Sequence, residues 1–183
     1  MPDDFDLIPM SHALMLAFHD GDLARAERQL SARIHPQWRL PREVLAMRLR
    51  QLEADPTWQP WLLQALVTRE SPTLTGNVGF HGPPGRHFFD ARYRGIVEIG
   101  YDIVPDHRGR GFATRAVAQL IDWAAPRGAA HVAITTSPTN LPSRRIAERL
   151  GFILIEEQLH PVRGPELLYL KTLNPRHRPP DSE

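Results

Sequence analysis

The stretch EIGYDIVPDHRGRGFATRAV, residues 98–117, decides how the rest of this chain is read. Its first half belongs to a strand: Ile96, Val97, Ile99, Tyr101, Ile103 and Val104 form an apolar run that stops at Pro105. Its second half opens a helix. Ala113, Ala116, Val117, Leu120, Ile121 and Ala124 recur at i, i+3, i+4, i+7, i+8 and i+11, the buried stripe of a helix lying on a sheet. Between the two, Gly109 and Gly111 let backbone amides approach a ligand without an intervening Cβ. The helix that starts there presents unpaired N–H groups and the positive end of its dipole, a combination that predicts a phosphate site. Arg108, Arg110 and Arg115, set against Asp106, add local positive charge.

Three kinds of anion-binding turn compete for this stretch. A Walker loop needs Gly-Lys-Ser or Gly-Lys-Thr, and the sole lysine of the chain is Lys171. A dinucleotide fingerprint needs a third glycine where Thr114 stands and an acid where the next strand ends in Thr135 and Thr136, so an oxidoreductase survives only on Gly109 and Gly111. The third is RxxGxA, here Arg108, Gly111 and Ala113, and it resembles the coenzyme A pyrophosphate loop of the GNAT acetyltransferase superfamily. The whole EIGYDIVPDHRGRGFATRAV segment is similar to the central motif of the ribosomal-protein N-terminal (RimJ/RimL-like) branch. NLPSRRIAERLGF, Asn140 to Phe152, resembles the second superfamily motif.

That resemblance implies an α/β (α+β) fold: a mixed, mostly antiparallel sheet of about seven strands, a splayed central parallel pair, and helices on both faces. It implies acetyl-CoA as cosubstrate. Backbone amides of Arg108, Gly109, Arg110, Gly111, Phe112, Ala113 and Thr114 would hold the pyrophosphate, Ile103 and Val104 would pair with the pantetheine arm, and Asn140 would contact its amides. A backbone N–H near Val104 would face the thioester oxygen. The reaction is transfer of acetyl to a primary amine, a protein N-terminus or a small molecule. The amine must first lose a proton, and Glu98, on the face of the strand shared with Val104, is the candidate base; a glutamate paired with an arginine is the structural alternative. The tyrosine that many relatives use to protonate the leaving thiolate is replaced by Ala147, which makes Ser143 the candidate donor and leaves a non-catalytic acyl-CoA sensor as a rival reading.

Outward from this core the periodicities are ordinary. A strand over Phe5 to Ile8 precedes three helices: one capped by Ser11 and stopped by Gly21, one from Leu23 through Ile34 that ends at Pro36, and one from Arg42 to Asp55. Leu62 to Thr68 and Asn77 to His81 read as an antiparallel pair around a Ser71 to Gly76 turn, followed by a polar loop over 82–95. His131 to Thr136 is a strand, Pro142 to Leu150 a helix, and Phe152 to Leu159 with Glu166 to Thr172 a closing hairpin. One acetyltransferase domain over 1–174 is expected, with an acceptor-side part over about 1–70, an acetyl-CoA core over 96–152 and a frayed tail over 175–183.

Composition sets the limits. The chain has 183 residues, of which 42% are apolar and 23% charged, so it is expected to be one globular domain rather than a disordered chain. A net charge of +1 provides no field for nucleic acid or anionic lipid. The absence of cysteine excludes disulfides, thiolate metal sites and an acyl-cysteine intermediate. The nine histidines show no ligand spacing, so no metal is expected. No run approaches the ~20 apolar residues of a membrane span, and the start, MPDDFD, is unlike a signal peptide, so the expected compartment is the cytoplasm. A homodimer is left open.

Overall fold

A computed structural model of the chain describes residues 4–86 and 91–173. The frayed tail expected over 175–183, and Phe88 of the 82–95 loop, lie outside the described residues. The fold divides into two compact units that share the chain: Met1–Phe80 with Tyr101–Ala116, and His81–Gly100 with Val117–Glu183.

In the first unit β1 (Phe5–Pro9), β3 (Leu63–Thr68) and β4 (Thr73–Phe80) form an antiparallel meander in that order. Three helices accompany it: α1 (His12–Asp20), α2 (Leu23–Leu30) and α3 (Arg42–Ala54). α1 starts where Ser11 accepts from the Leu14 amide and stops at Gly21, whose left-handed φ of 78° turns its N–H back to the Ala17 and Phe18 carbonyls. The apolar faces of these helices, among them Leu14, Phe18, Leu30, Leu45 and Leu49, join Leu63, Ala65 and Leu74 of the strands in one buried cluster. Two sequence expectations are corrected here. The second helix ends at Leu30, not at Pro36, because Ser31 takes a left-handed conformation that closes it; Arg33–Ile34 then form a two-residue strand, β2, parallel to β4. The hairpin turn is also tighter than expected, since β4 begins at Thr73, where Thr68 Oγ1 bridges the chain reversal.

The second unit holds β6 (His131–Thr136), β7 (Ile153–His160) and β8 (Gly164–Thr172). The chain crosses between units inside both β5 (Ile96–Ile103) and α4 (Phe112–Ala124). β5 is parallel to β6, and β6–β8 and β8–β7 are antiparallel. The parallel ladder runs only from Ile96–His131 to Glu98–Ala133, while Ile134 to Thr136 find register partners on β8. The fold is thus mixed α/β with mostly antiparallel pairing; among the described residues it has the expected seven main strands and the short β2 beside them. α4 buries Phe112, Ala116, Val117, Leu120, Ile121 and Ala124, the expected stripe with Phe112 in place of Ala113.

Candidate active site

The turn from β5 into α4 lies in the first unit. Pro105–His107 make one 3-10 turn, and Gly109 and Gly111 follow at φ 74° and 79°. A Cβ at either glycine would meet no protein atom within 4 Å, so within the protein the requirement for glycine is one of backbone conformation. The first helical bond runs from the Arg115 amide to the Gly111 carbonyl at 3.0 Å. Phe112, Ala113 and Thr114 therefore occupy the first turn, where amides have no partner within the helix. The Phe112 ring is buried and meets Phe5 edge-on at 5.5 Å, which anchors this end of α4. The Arg115 guanidinium lies 4.9 Å over the Phe5 ring.

Arg108 has a structural task as well as a charge. Its Nε donates to the Ile103 carbonyl at 2.7 Å and its Nη2 reaches Asp102 at 3.3 Å, tying the loop to the end of β5. The Val104 amide donates to the Thr75 carbonyl at 2.9 Å. That amide is engaged within the protein, so this bond must open before Val104 N–H can face a thioester oxygen. Gly76 lets these strands approach: a Cβ there would fall 2.5 Å from the Asp102 carbonyl oxygen.

The remaining candidates lie in the second unit. Glu98, only 8% exposed, pairs with His81, whose Nδ1 is 3.0 Å from Glu98 Oε2. The His81 amide also donates to the Glu98 carbonyl at 2.8 Å. Gly100 makes room for this ring, since a Cβ there would sit 3.0 Å from His81 Nε2. The glycine of EIGY thus serves the glutamate two residues before it. Asn140 caps α5 (Leu141–Arg149) by accepting from the Ser143 amide at 3.2 Å, so its side-chain oxygen is already engaged. Ser143 is buried in the first turn of α5. Ala147 is fully buried one turn further along the same face. A tyrosine does not fit there without displacing its surroundings, and Ser143 is the hydroxyl carried by that face.

Trp61 and Phe80, whose segments could have rimmed a groove, are buried core residues with ring centroids 5.5 Å apart and planes tilted by 58°. Sequence reasoning gave no role to a cavity of about 250 Å³ whose lining includes Glu98, Thr135, Gln158, His160, Arg163 and Glu166. Glu166, 6% exposed, pairs with Arg163 Nε at 2.8 Å. Among the described residues no group of three or more histidines and carboxylates is placed to hold a metal, and no helix is long and apolar enough to cross a membrane.

The strand that feeds a glycine turn and a helix, and the Asn-started helix that closes on Gly-Phe, are the two segments that carry the resemblance, and both form as expected. The family is shown directly: the GNAT acetyltransferase domain matches residues 12–153, and the chain belongs to that family. An uncharacterized N-acetyltransferase of Bacillus subtilis (strain 168), YjdG, is 31% identical over 90 residues, 49% of either chain. The match thus spans about half the length of this curated relative. Among solved structures, a ribosomal-protein-S5-alanine acetyltransferase from Vibrio fischeri superposes with TM-score 0.62 at 20% identity, covering 94% of this chain and 93% of its own. The yncA acetyltransferase from Salmonella typhimurium, solved with acetyl-CoA, superposes with TM-score 0.62 at 21% identity, covering 97% of this chain and 99% of its own.

Proposed function

We propose that this protein is an acetyl-CoA-dependent N-acetyltransferase that acetylates a primary amine, either a protein N-terminus or a small molecule, within one catalytic domain over 1–174 and in the cytoplasm. The observation that carries the reading is the left-handed pair Gly109 and Gly111 leading into the first turn of α4. A left-handed glycine pair at a helix start supports this reading because such a backbone can turn successive amides toward one anion, the requirement of a pyrophosphate cradle. Amides of Arg108 to Thr114 bind the pyrophosphate, and Arg110 and Arg115 add charge. Ile103 and Val104 take the pantetheine arm as an added strand, and Asn140 meets its amides.

Acetyl-CoA supplies an acetyl group activated as a thioester, which the amine attacks directly in a ternary complex: the N–C bond forms, the C–S bond breaks, and no cysteine is present to relay the acyl group. Glu98 takes a proton from the acceptor ammonium, passing it on through His81, and Ser143 donates a hydrogen bond to the departing sulfur. At neutral pH an N-terminal amine, with a pKa of about 8, is mostly protonated, so a base is worth most there. Glu98→Gln is expected to lower turnover about a hundredfold at pH 7, the loss shrinking toward pH 9 as the amine deprotonates unaided. Rates measured across that range with labelled acetyl-CoA and N-terminal peptides, polyamines, amino acids and aminoglycosides test this; a loss independent of pH removes Glu98 as the base. The full burial of Ala147 favours one rival, an acyl-CoA sensor. Tight acetyl-CoA binding with no transfer to any acceptor would select it.

A further inference from the structure

The register of the second unit puts the 250 Å³ cavity on one face of its sheet. Glu98 on β5 is the register partner of Ala133 on β6, and Thr135 lies two residues on, facing the same way. Thr135 is opposite Leu168 on β8, two residues from Glu166, and Glu166 is opposite Gln158 on β7. Glu98, Thr135, Glu166 and Gln158 therefore form a row across four strands, and all four line the cavity. Two of the four are carboxylates less than a tenth exposed. With histidines counted neutral, the lining carries Glu98 and Glu166 against Arg163 alone, one net negative charge. Thr135 Oγ1 is buried and makes no hydrogen bond. Buried hydroxyls are almost always bonded, so an orphan in a cavity wall marks a place where something else supplies the partner.

We propose that this cavity seats the acceptor as a monocation: a primary ammonium on a narrow carrier with no carboxylate beside it, donating to Thr135 Oγ1 and to Glu98. Thr135 is a positioning residue; it holds the nitrogen so that its proton faces Glu98. A charge of +1 neutralises the lining, whereas a zwitterion brings an unpaired carboxylate against Glu98 and Glu166. A cavity below the roughly 300–1,000 Å³ of ordinary ligand pockets admits an amine and its first few atoms only.

The inference rests on the acetyltransferase reading, and its test is independent of acetyl transfer. Ethylammonium chloride, glycine and propan-1-ol, similar in size and differing in charge, are titrated into the protein while the backbone amide resonances of Thr135 and Glu166 are followed. Ethylammonium is expected to shift both saturably, with half-saturation at least tenfold below that of glycine or propan-1-ol. Thr135→Val is expected to raise the ethylammonium half-saturation about tenfold and Thr135→Ser to restore it. With an accepted amine, Thr135→Val raises KM more than it lowers kcat. Equal response to all three probes in the wild-type protein, or no response at Thr135 and Glu166, overturns the proposal even if Thr135→Val does not fold. Saturable ethylammonium binding in a protein that transfers no acetyl group supports the cavity assignment and overturns only the catalytic reading.

Discussion

At the scale of single residues, the proposed proton transfer runs through the pairing of Glu98 with His81, and Gly100 leaves room for that ring. Gly100→Ala puts a Cβ 3.0 Å from His81 Nε2, so the ring must give by a few tenths of an ångström, a small swing that loosens its contact with Glu98. His81 is more than a third exposed, so the swing costs little stability. The expected outcome is a drop in turnover of about tenfold with an unchanged melting temperature, read by parallel rate and thermal assays. A parallel fall in melting temperature would place Gly100 in the fold rather than in the site. Glu98 could be picked out from the EIGY strand because its neighbours in sequence set its register. His81 and Thr135 could not, since each acquires its role only when strands distant in sequence lie side by side.

At the scale of elements, caps decide where helices end, and one of them involves the sole lysine. Lys171 on β8 donates to the Leu150 carbonyl at 2.7 Å, closing the C-terminal end of α5. Lys171→Met is expected to lower stability by about 1–2 kcal/mol while leaving acetyl-CoA binding intact, measured by denaturant unfolding and titration. The edge strand β1 is held to the residue following β3 by Arg69, which bonds Asp6 at 2.6 Å and also Asp4. The hydrogen bond from Arg69 holds the Asp6 carboxyl below its ordinary value of 3.8. A lowered folded pKa contributes stability above the unfolded value and loses it as pH falls through the folded one. Asp6→Asn is therefore expected to lose less thermal stability than the wild type between pH 5 and pH 3. Equal losses would show that the exposed pair contributes nothing.

At the scale of the molecule, what the sequence made legible was local pattern. The α4 stripe, the strand before it and the Asn140 to Phe152 segment were readable because period and punctuation agree within each. The end of α2 and the strand β2 were not: Leu23, Ala26, Leu30 and Ile34 keep helical spacing, and the left-handed Ser31, where the chain turns back to the Arg28 and Glu27 carbonyls, breaks it. At Gly111 the structure adds a second reason to the expected clearance for a ligand, a backbone φ of 79° that a side chain resists. This backbone requirement bears directly on acetyl-CoA binding. Calorimetric titration of acetyl-CoA, with NAD as control, into the wild-type protein and Gly111→Val is the most direct test. The wild type is expected to bind acetyl-CoA and not NAD, and folded Gly111→Val to bind it at least about tenfold more weakly, in line with roughly 1–2 kcal/mol of left-handed strain. NAD binding without acetyl-CoA binding, or unchanged acetyl-CoA affinity in a folded Gly111→Val, would contradict the account.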